Sequence, residues 1–141
     1  MRIIVGADDE GEVADAVVGE LEARGHDVNV LDREQWPDVA SKVGQAVASG
    51  DADQGVLFCW TGTGTSMAAN KVPGVRAALV WDPWIAEGAR RWNDANVLVM
   101  SLKRTSPDAA RAILDAWLSV DEPDADETAN IARLSELDRA R

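Results

Sequence analysis

An α/β fold with a parallel sheet covered on both faces is predicted by three observations on this chain. Short apolar runs alternate with segments whose apolar residues recur at helical spacing. Strands interleaved with helices imply parallel pairing, and right-handed crossovers then wind the sheet in both directions from its centre. The length, 141 residues, holds one such domain and not two.

The elements follow in order. Ile3-Ile-Val5 reads as the first strand, and Val13, Val17, Val18 and Leu21 fall on one helical face after it. Val28-Asn-Val-Leu31 gives the second strand, with Val39, Val43 and Val47 marking the next helix. Val56-Leu-Phe-Cys59 is a short apolar run bounded by turn signals, the pattern of a buried strand, and Ser66 to Asn70 suits the helix behind it. Val75 to Val80, then Pro83 to Arg91, Asn96 to Met100, and Pro107 to Leu118 complete five βα units. With five strands the expected order is 2-1-3-4-5, the flavodoxin-like arrangement of a three-layer doubly wound sheet. That order opens a crevice at the carboxyl ends of strands 1 and 3. Residues 1–120 are thus one α/β domain. Residues 121–141 add an acidic, proline-bearing linker, Asp121 to Glu127, and an extra C-terminal helix striped by Ile131, Leu134 and Leu137. The stripe packs either on its own domain or on a second subunit; the latter is the reading adopted, because the five-unit core already covers its sheet.

Composition removes several classes of function. Hydrophobic residues make up 46% and charged residues 28%, which is ordinary for a globular chain. No apolar stretch approaches the roughly 20 residues of a membrane helix. The formal charge of −11 works against nucleic acid and anionic membranes, whose binding rests on clustered Lys and Arg. The N-terminus enters a strand without a signal peptide, and one cysteine forms no internal disulfide, so a cytoplasmic location is expected.

Chemistry concentrates where Cys59 ends its strand at a glycine loop, Trp60-Thr-Gly-Thr-Gly-Thr-Ser66. Gly62 and Gly64 allow a sharp turn that points backbone N–H groups at a ligand. Asp8 and Asp9 follow strand 1, so the acids and the thiol meet at the switch point of the sheet. Turn formation or helix capping also accounts for the two acids, and burial as a small hydrophobe also accounts for Cys59. Asp8, Asp9 and Glu10 could hold Mg²⁺, but no metal and no organic cofactor is assigned. Six Trp with no Tyr and one Phe is an unusual aromatic set. Trp36, Trp60, Trp81, Trp84 and Trp92 fall near the site or a subunit seam, to enclose a ligand or to fill an interface; Trp117 reads as core.

The glycine loop with its continuation Ala68-Ala-Asn-Lys-Val-Pro-Gly-Val-Arg-Ala-Ala-Leu79 resembles the ribose-5-phosphate isomerase B and galactose-6-phosphate isomerase family. So do Asn93-Asp-Ala-Asn-Val-Leu98, Asp115-Ala-Trp-Leu118 and Trp36-Pro-Asp38. The resemblance spans nearly the whole chain. It implies aldose–ketose isomerisation of a small sugar or sugar phosphate through an enediol, without a cofactor. It also implies a homodimer or dimer of dimers with sites shared between subunits. By that resemblance Cys59 is the base, a role that other members give to Glu at the position of Thr65. Asp8 and Thr61 handle hydroxyls or ring opening. Gly62, Thr63, Gly64, Thr65 and Ser66 form the loop that stabilises the enediolate, and Asn93 binds near O1.

Departures from the family pattern fall on the site. Asp9 stands where the family has a histidine, leaving Asp9 or water for ring opening. Trp92 replaces the histidine that donates a proton, and an indole does not titrate in the useful range. The single histidine, His26, reads as structural. Lys103 takes the place of a phosphate-binding arginine without its bidentate fork, with Arg104 beside it. Arg133 matches one terminal-helix arginine, and Ala129 falls near the other. Trp60 replaces a glycine next to Cys59. Altered substrate choice is therefore expected, with ribose 5-phosphate a poor substrate and the thiol open to solvent. The alternative is a non-catalytic sugar-binding or partner subunit. A phosphate-accepting signalling domain is disfavoured, because Cys59 stands where it needs an aspartate.

Overall fold

The centre of the sheet is β3 (Gln54–Cys59), every residue of which is buried. In the computed structural model, which describes residues 1–140, β3 pairs in parallel with β1 (Arg2–Ala7) on one side and β5 (Val97–Ser101) on the other. Outside these lie β2 (Asp27–Val30) against β1 and β4 (Ala77–Leu79) against β5, giving the order 2-1-3-5-4. The three-layer, doubly wound parallel sheet is as expected, but the last two strands exchange places relative to 2-1-3-4-5. The reason is burial. β5, Val-Leu-Val-Met-Ser, is apolar on both faces and fully buried, as an interior parallel strand must be. β4 has three residues, two of them Ala, all half-buried, and closes the edge.

That exchange decides the helix layers. Each right-handed crossover places its helix according to the direction in which the chain moves across the sheet. The chain steps toward β2, crosses back to β3, goes on to β4, and reverses into β5. Helices α1 (Glu12–Ala23) and α4 (Pro83–Asn93) therefore share one face, where α5 (Pro107–Leu118), which follows the last strand, packs between them, and α2 (Trp36–Ser49) and α3 (Thr63–Ala69) share the other. Val17, Leu21, Ile113 and Trp117 fill the first layer with Phe58 and Met100 from the sheet. Val43 and Ala69 fill the second with Leu57 and Val99. Trp117 is core, as expected, and its Nε1 donates to Gln54 Oε1 at 2.8 Å, so the buried indole keeps a polar partner.

Local sequence fixes the helix starts. Asp82 accepts from the Ile85 N–H at 2.9 Å and Ser106 from the Ala109 N–H at 3.1 Å, each followed by a proline at the first helical position. The last helix, α6 (Thr128–Arg139), buries no residue. Its Asp138 accepts from the Gly74 N–H at 2.9 Å, and Arg91 of α4 pairs with Asp124 at 3.1 Å in the turn before it. Leu134 and Leu137 remain 44% and 53% exposed, so the stripe is only partly covered by its own domain. Among the described residues no helix is long and apolar enough to cross a membrane.

Candidate active site

β1 and β3 are in register with Ala7 opposite Phe58, and the Asp8 N–H donates to the Phe58 carbonyl at 3.4 Å. This pairing sets Asp8 beside Cys59 at the carboxyl edge of the sheet, where the strand reading placed both. Beyond Cys59 the chain turns at once. Gly62 sits at φ +82°, and a β-carbon there would lie 2.5 Å from Leu79 Cδ1, so only glycine fits. The turn feeds directly into α3, which begins at Thr63, not at Ser66 as the sequence suggested. Much of the expected loop is therefore the first turn of a helix.

Two donors meet the cysteine sulfur. The Gly62 N–H donates to Cys59 Sγ at 3.2 Å, and Thr65 Oγ1 donates to it at 3.4 Å. Thr65 is fully buried and bonds the Gly62 carbonyl as well, at 3.3 Å. The Ser66 N–H is taken by the Gly62 carbonyl at 3.1 Å. Of the five residues expected to present N–H groups to an oxyanion, Gly62, Thr63 and Ser66 use theirs internally. The Thr63 N–H donates to Thr61 Oγ1 at 3.3 Å, and the hydroxyls of Thr61 and Thr63 share a hydrogen bond at 2.7 Å.

Cys59, Asp8, Thr61 and Thr63 line a single open cavity of about 400 Å³, bordered also by Trp36, Trp60, Gly64 and Met67. The thiol is only 5% exposed, so the cavity and not open solvent gives access to it, which corrects the expected exposed thiol. Oδ1 of Asp8 is buried with no hydrogen-bond partner among the described residues. Burial, with the neighbouring Asp9 charge adding to it, pushes the Asp8 carboxyl above its ordinary range. An acid of that kind at a cavity wall can take or give a proton.

Trp36 packs flat against Gly64, where a β-carbon would lie 3.0 Å from its ring. Met67 follows Thr63 by one helical turn and is 61% exposed. Sequence reasoning missed Met67 because the helix start was placed too late; with α3 beginning at Thr63, the i, i+4 spacing puts both on one face.

Asp9 does not line this cavity. Its Oδ2 accepts from Trp60 Nε1 at 3.0 Å, and its Oδ1 accepts from the Glu10 N–H at 2.8 Å. The indole hydrogen bond, followed by the Glu10 N–H, holds the Asp9 carboxyl below its ordinary range. Lys103 Nζ lies over the Trp60 ring, 4.9 Å from its centroid.

The remaining expected site residues lie elsewhere in this chain. Asn93 and Trp92 border a separate hollow beside β4, where Trp92 meets Trp84 edge to face at 5.6 Å. Arg133 projects from α6 and pairs with Glu136 at 2.9 Å. His26 lies at the amino end of β2 beside the N-terminal ammonium, away from the cavity. Among the described residues no group of three or more His, Cys, Asp or Glu is placed to hold a metal ion.

Comparison with known proteins places this geometry among relatives. The profile of a family described as Ribose/Galactose Isomerase matches residues 3–136. A ribose-5-P isomerase B of Listeria innocua is 33% identical over 99% of this chain and 98% of its own. The ribose-5-phosphate isomerase B of Escherichia coli is 39% identical over 83% of each. A solved structure of ribose-5-phosphate isomerase B from Clostridium thermocellum superposes with a TM-score of 0.94, at 33% identity and 99% coverage of both chains.

Proposed function

The chain belongs to the ribose/galactose isomerase family, and from that premise we propose that it is an aldose–ketose isomerase of a sugar phosphate or sugar derivative. Cys59 is its base. The observation that carries this reading is the cavity itself, which brings a doubly hydrogen-bonded Cys59 Sγ together with an unpartnered Asp8 carboxylate oxygen.

Cys59 as thiolate removes the proton from the carbon next to the carbonyl of an open-chain sugar. The C–H electron pair becomes the double bond of an enediolate, and the carbonyl oxygen takes the charge. The Gly62 N–H and the Thr65 hydroxyl stay paired with the sulfur, since a charged acceptor takes stronger hydrogen bonds. The Thr61 and Thr63 hydroxyls face the same space to bind sugar hydroxyls, with Gly64 N–H at the start of α3 near the developing oxyanion. Asp8 carries a proton between neighbouring sugar oxygens, a role suited to its raised carboxyl. The Cys59 thiol, whose proton exchanges with solvent while the enediol lasts, then protonates the adjacent carbon and completes the isomerisation.

The reading includes a homodimer or dimer of dimers, in which Asn93, Trp92 and Arg133 serve the Cys59 site of a neighbouring subunit. Two facts support it: these residues lie away from the cavity of their own chain, and Trp81, Trp84, Leu134 and Leu137 are exposed around or near the edge strand β4. A non-catalytic sugar-binding role is the second reading, favoured by the engagement of Asp9 with Trp60.

The test is the interconversion of four- to six-carbon aldoses and ketoses, with and without phosphate, by wild type and Cys59→Ala. Loss of about 10²–10⁴-fold in rate on removing the base supports the proposal. Turnover that survives in Cys59→Ala refutes it, and binding without turnover by wild type selects the second reading.

A further inference from the structure

We propose that Ser101 is a positioning residue for the Cys59 site, holding through the carbonyl of Trp60 the turn that presents the Gly62 N–H to the sulfur. The proposal rests on the reading of Cys59 as the isomerase base and adds what keeps that base in place. Ser101 ends β5 and stands opposite Cys59, the last matched pair of the two strands. There the ladder gives out: the Leu102 N–H donates to the Cys59 carbonyl at 2.9 Å, and the chain after Cys59 leaves the sheet. The next carbonyl, that of Trp60, is nevertheless held twice. Ser101 Oγ donates to it at 2.5 Å, and the Lys103 N–H donates to it at 3.2 Å. The same Ser101 oxygen accepts from the Arg104 N–H at 3.0 Å. One hydroxyl, on a residue only 8% exposed, thus joins the turn after β5 to the turn after β3.

The Trp60 carbonyl lies in the peptide plane that Trp60 shares with Thr61. With that plane fixed, only Thr61 stands between it and Gly62, whose N–H donates to Cys59 Sγ at 3.2 Å. Gly62 is itself seated on the end of β5, where a β-carbon would lie 3.3 Å from the Met100 carbonyl carbon. The Trp60 side chain is tied separately, its Nε1 donating to Asp9 at 3.0 Å. Removing the Ser101 hydroxyl therefore loosens the backbone of the turn without freeing the ring. Ser101 does not line the cavity, so its effect on the base is indirect.

Amide hydrogen exchange followed by NMR on the full chain tests the proposal in Ser101→Ala and Ser101→Thr, alongside steady-state kinetics with the aldose or ketose that wild type converts fastest. The Gly62 amide is expected to be protected in wild type. In Ser101→Ala it is expected to exchange about tenfold faster relative to the core amides of β3 and β5, with kcat down about fivefold to tenfold and KM within about threefold. Ser101→Thr keeps the hydroxyl and is expected to restore both. A hydroxyl that only ends β5 would speed Gly62 and the core amides alike and leave kcat per folded molecule unchanged. That result, a Gly62 amide unprotected in wild type, or a Ser101→Thr protein that folds as wild type yet behaves as Ser101→Ala overturns the proposal. Selective loosening of Gly62 in a protein that turns over no sugar upholds the placement and counts against the isomerase reading alone.

Discussion

Thr65 Oγ1 donates a hydrogen bond to Cys59 Sγ at 3.4 Å from a position with no solvent exposure. The sulfur therefore shares a buried hydroxyl proton with the Gly62 carbonyl, which lies 3.3 Å from the same Oγ1, and it also meets the Gly62 N–H. Thr65→Val keeps the shape and removes the donor. Isomerisation is expected to slow about fivefold to tenfold, the equivalent of roughly 1 kcal/mol for one hydrogen bond, with KM little changed. An unchanged kcat would show that the hydroxyl only packs.

Gly62 carries the turn. Its φ of +82° and the 2.5 Å approach of Leu79 to a β-carbon leave alanine both strained and overlapped. Gly62→Ala is expected to cost about 2 kcal/mol or more in urea unfolding, and to reduce activity beyond the loss of folded protein, because Cys59 and α3 are joined by this turn.

Asp8 and Asp9 are neighbours with opposite pH behaviour. Burial raises the Asp8 carboxyl in the folded state, so ionising it opposes folding; that cost is absent below the ordinary carboxylate range and appears as pH rises through the folded value. The Trp60 hydrogen bond lowers Asp9, so its stabilisation is present above the ordinary range and is lost as pH falls through the folded value. Urea unfolding from about pH 2.5 to pH 7 is expected to show Asp8→Asn more stable than wild type at neutral pH and Asp9→Asn less stable. Both differences close at low pH. Activity falls in Asp8→Asn despite the gain in stability.

Arg90 is 7% exposed, with its guanidinium on the Ala95 and Val120 carbonyls and 5.6 Å from the centroid of Trp117. Its Nε has no partner among the described residues, and Asp94 stands 3.8 Å away. Arg90→Ala is expected to destabilise by about 3 kcal/mol, as it leaves a buried carbonyl unpaired and a void beside Trp117. A loss under ~1 kcal/mol in urea unfolding would contradict this account of the end of α4.

Legibility in the sequence tracks how local each cause is. The runs at Val56 to Cys59 and Asn96 to Met100, and the helix starts at Pro83 and Pro107, are written in adjacent residues and read correctly; the Asp82 and Ser106 caps before them went unread. Strand neighbours are not, because periodicity does not rank them; the sequence reads Val75 to Val80 as one strand, and only its shortening to Ala77–Leu79 in the structure marks β4 as an edge. The start of α3 was hidden by residues of poor helix propensity, Thr63-Gly-Thr65, which the left-handed turn at Gly62 overrides. That Cys59 and Asp8 would share one cavity was legible because topology brings the ends of β1 and β3 together, whereas Thr61, which lines the same cavity, was singled out only through resemblance. The Asp9–Trp60 bond joins residues 51 apart in sequence and had no local signal. Asn93, Trp92 and Arg133 could be assigned to the site only through resemblance, and their own chain holds them away from Cys59.

The central claim is that Cys59 forms an enediol, and deuterium exchange tests it most directly. Wild type and Cys59→Ala are incubated in D₂O with the panel of ketoses and aldoses, and label at the carbon next to the carbonyl is followed by NMR. The account predicts incorporation by wild type that disappears in Cys59→Ala. No incorporation by wild type with any sugar of the panel, or incorporation that persists without the thiol, would contradict it.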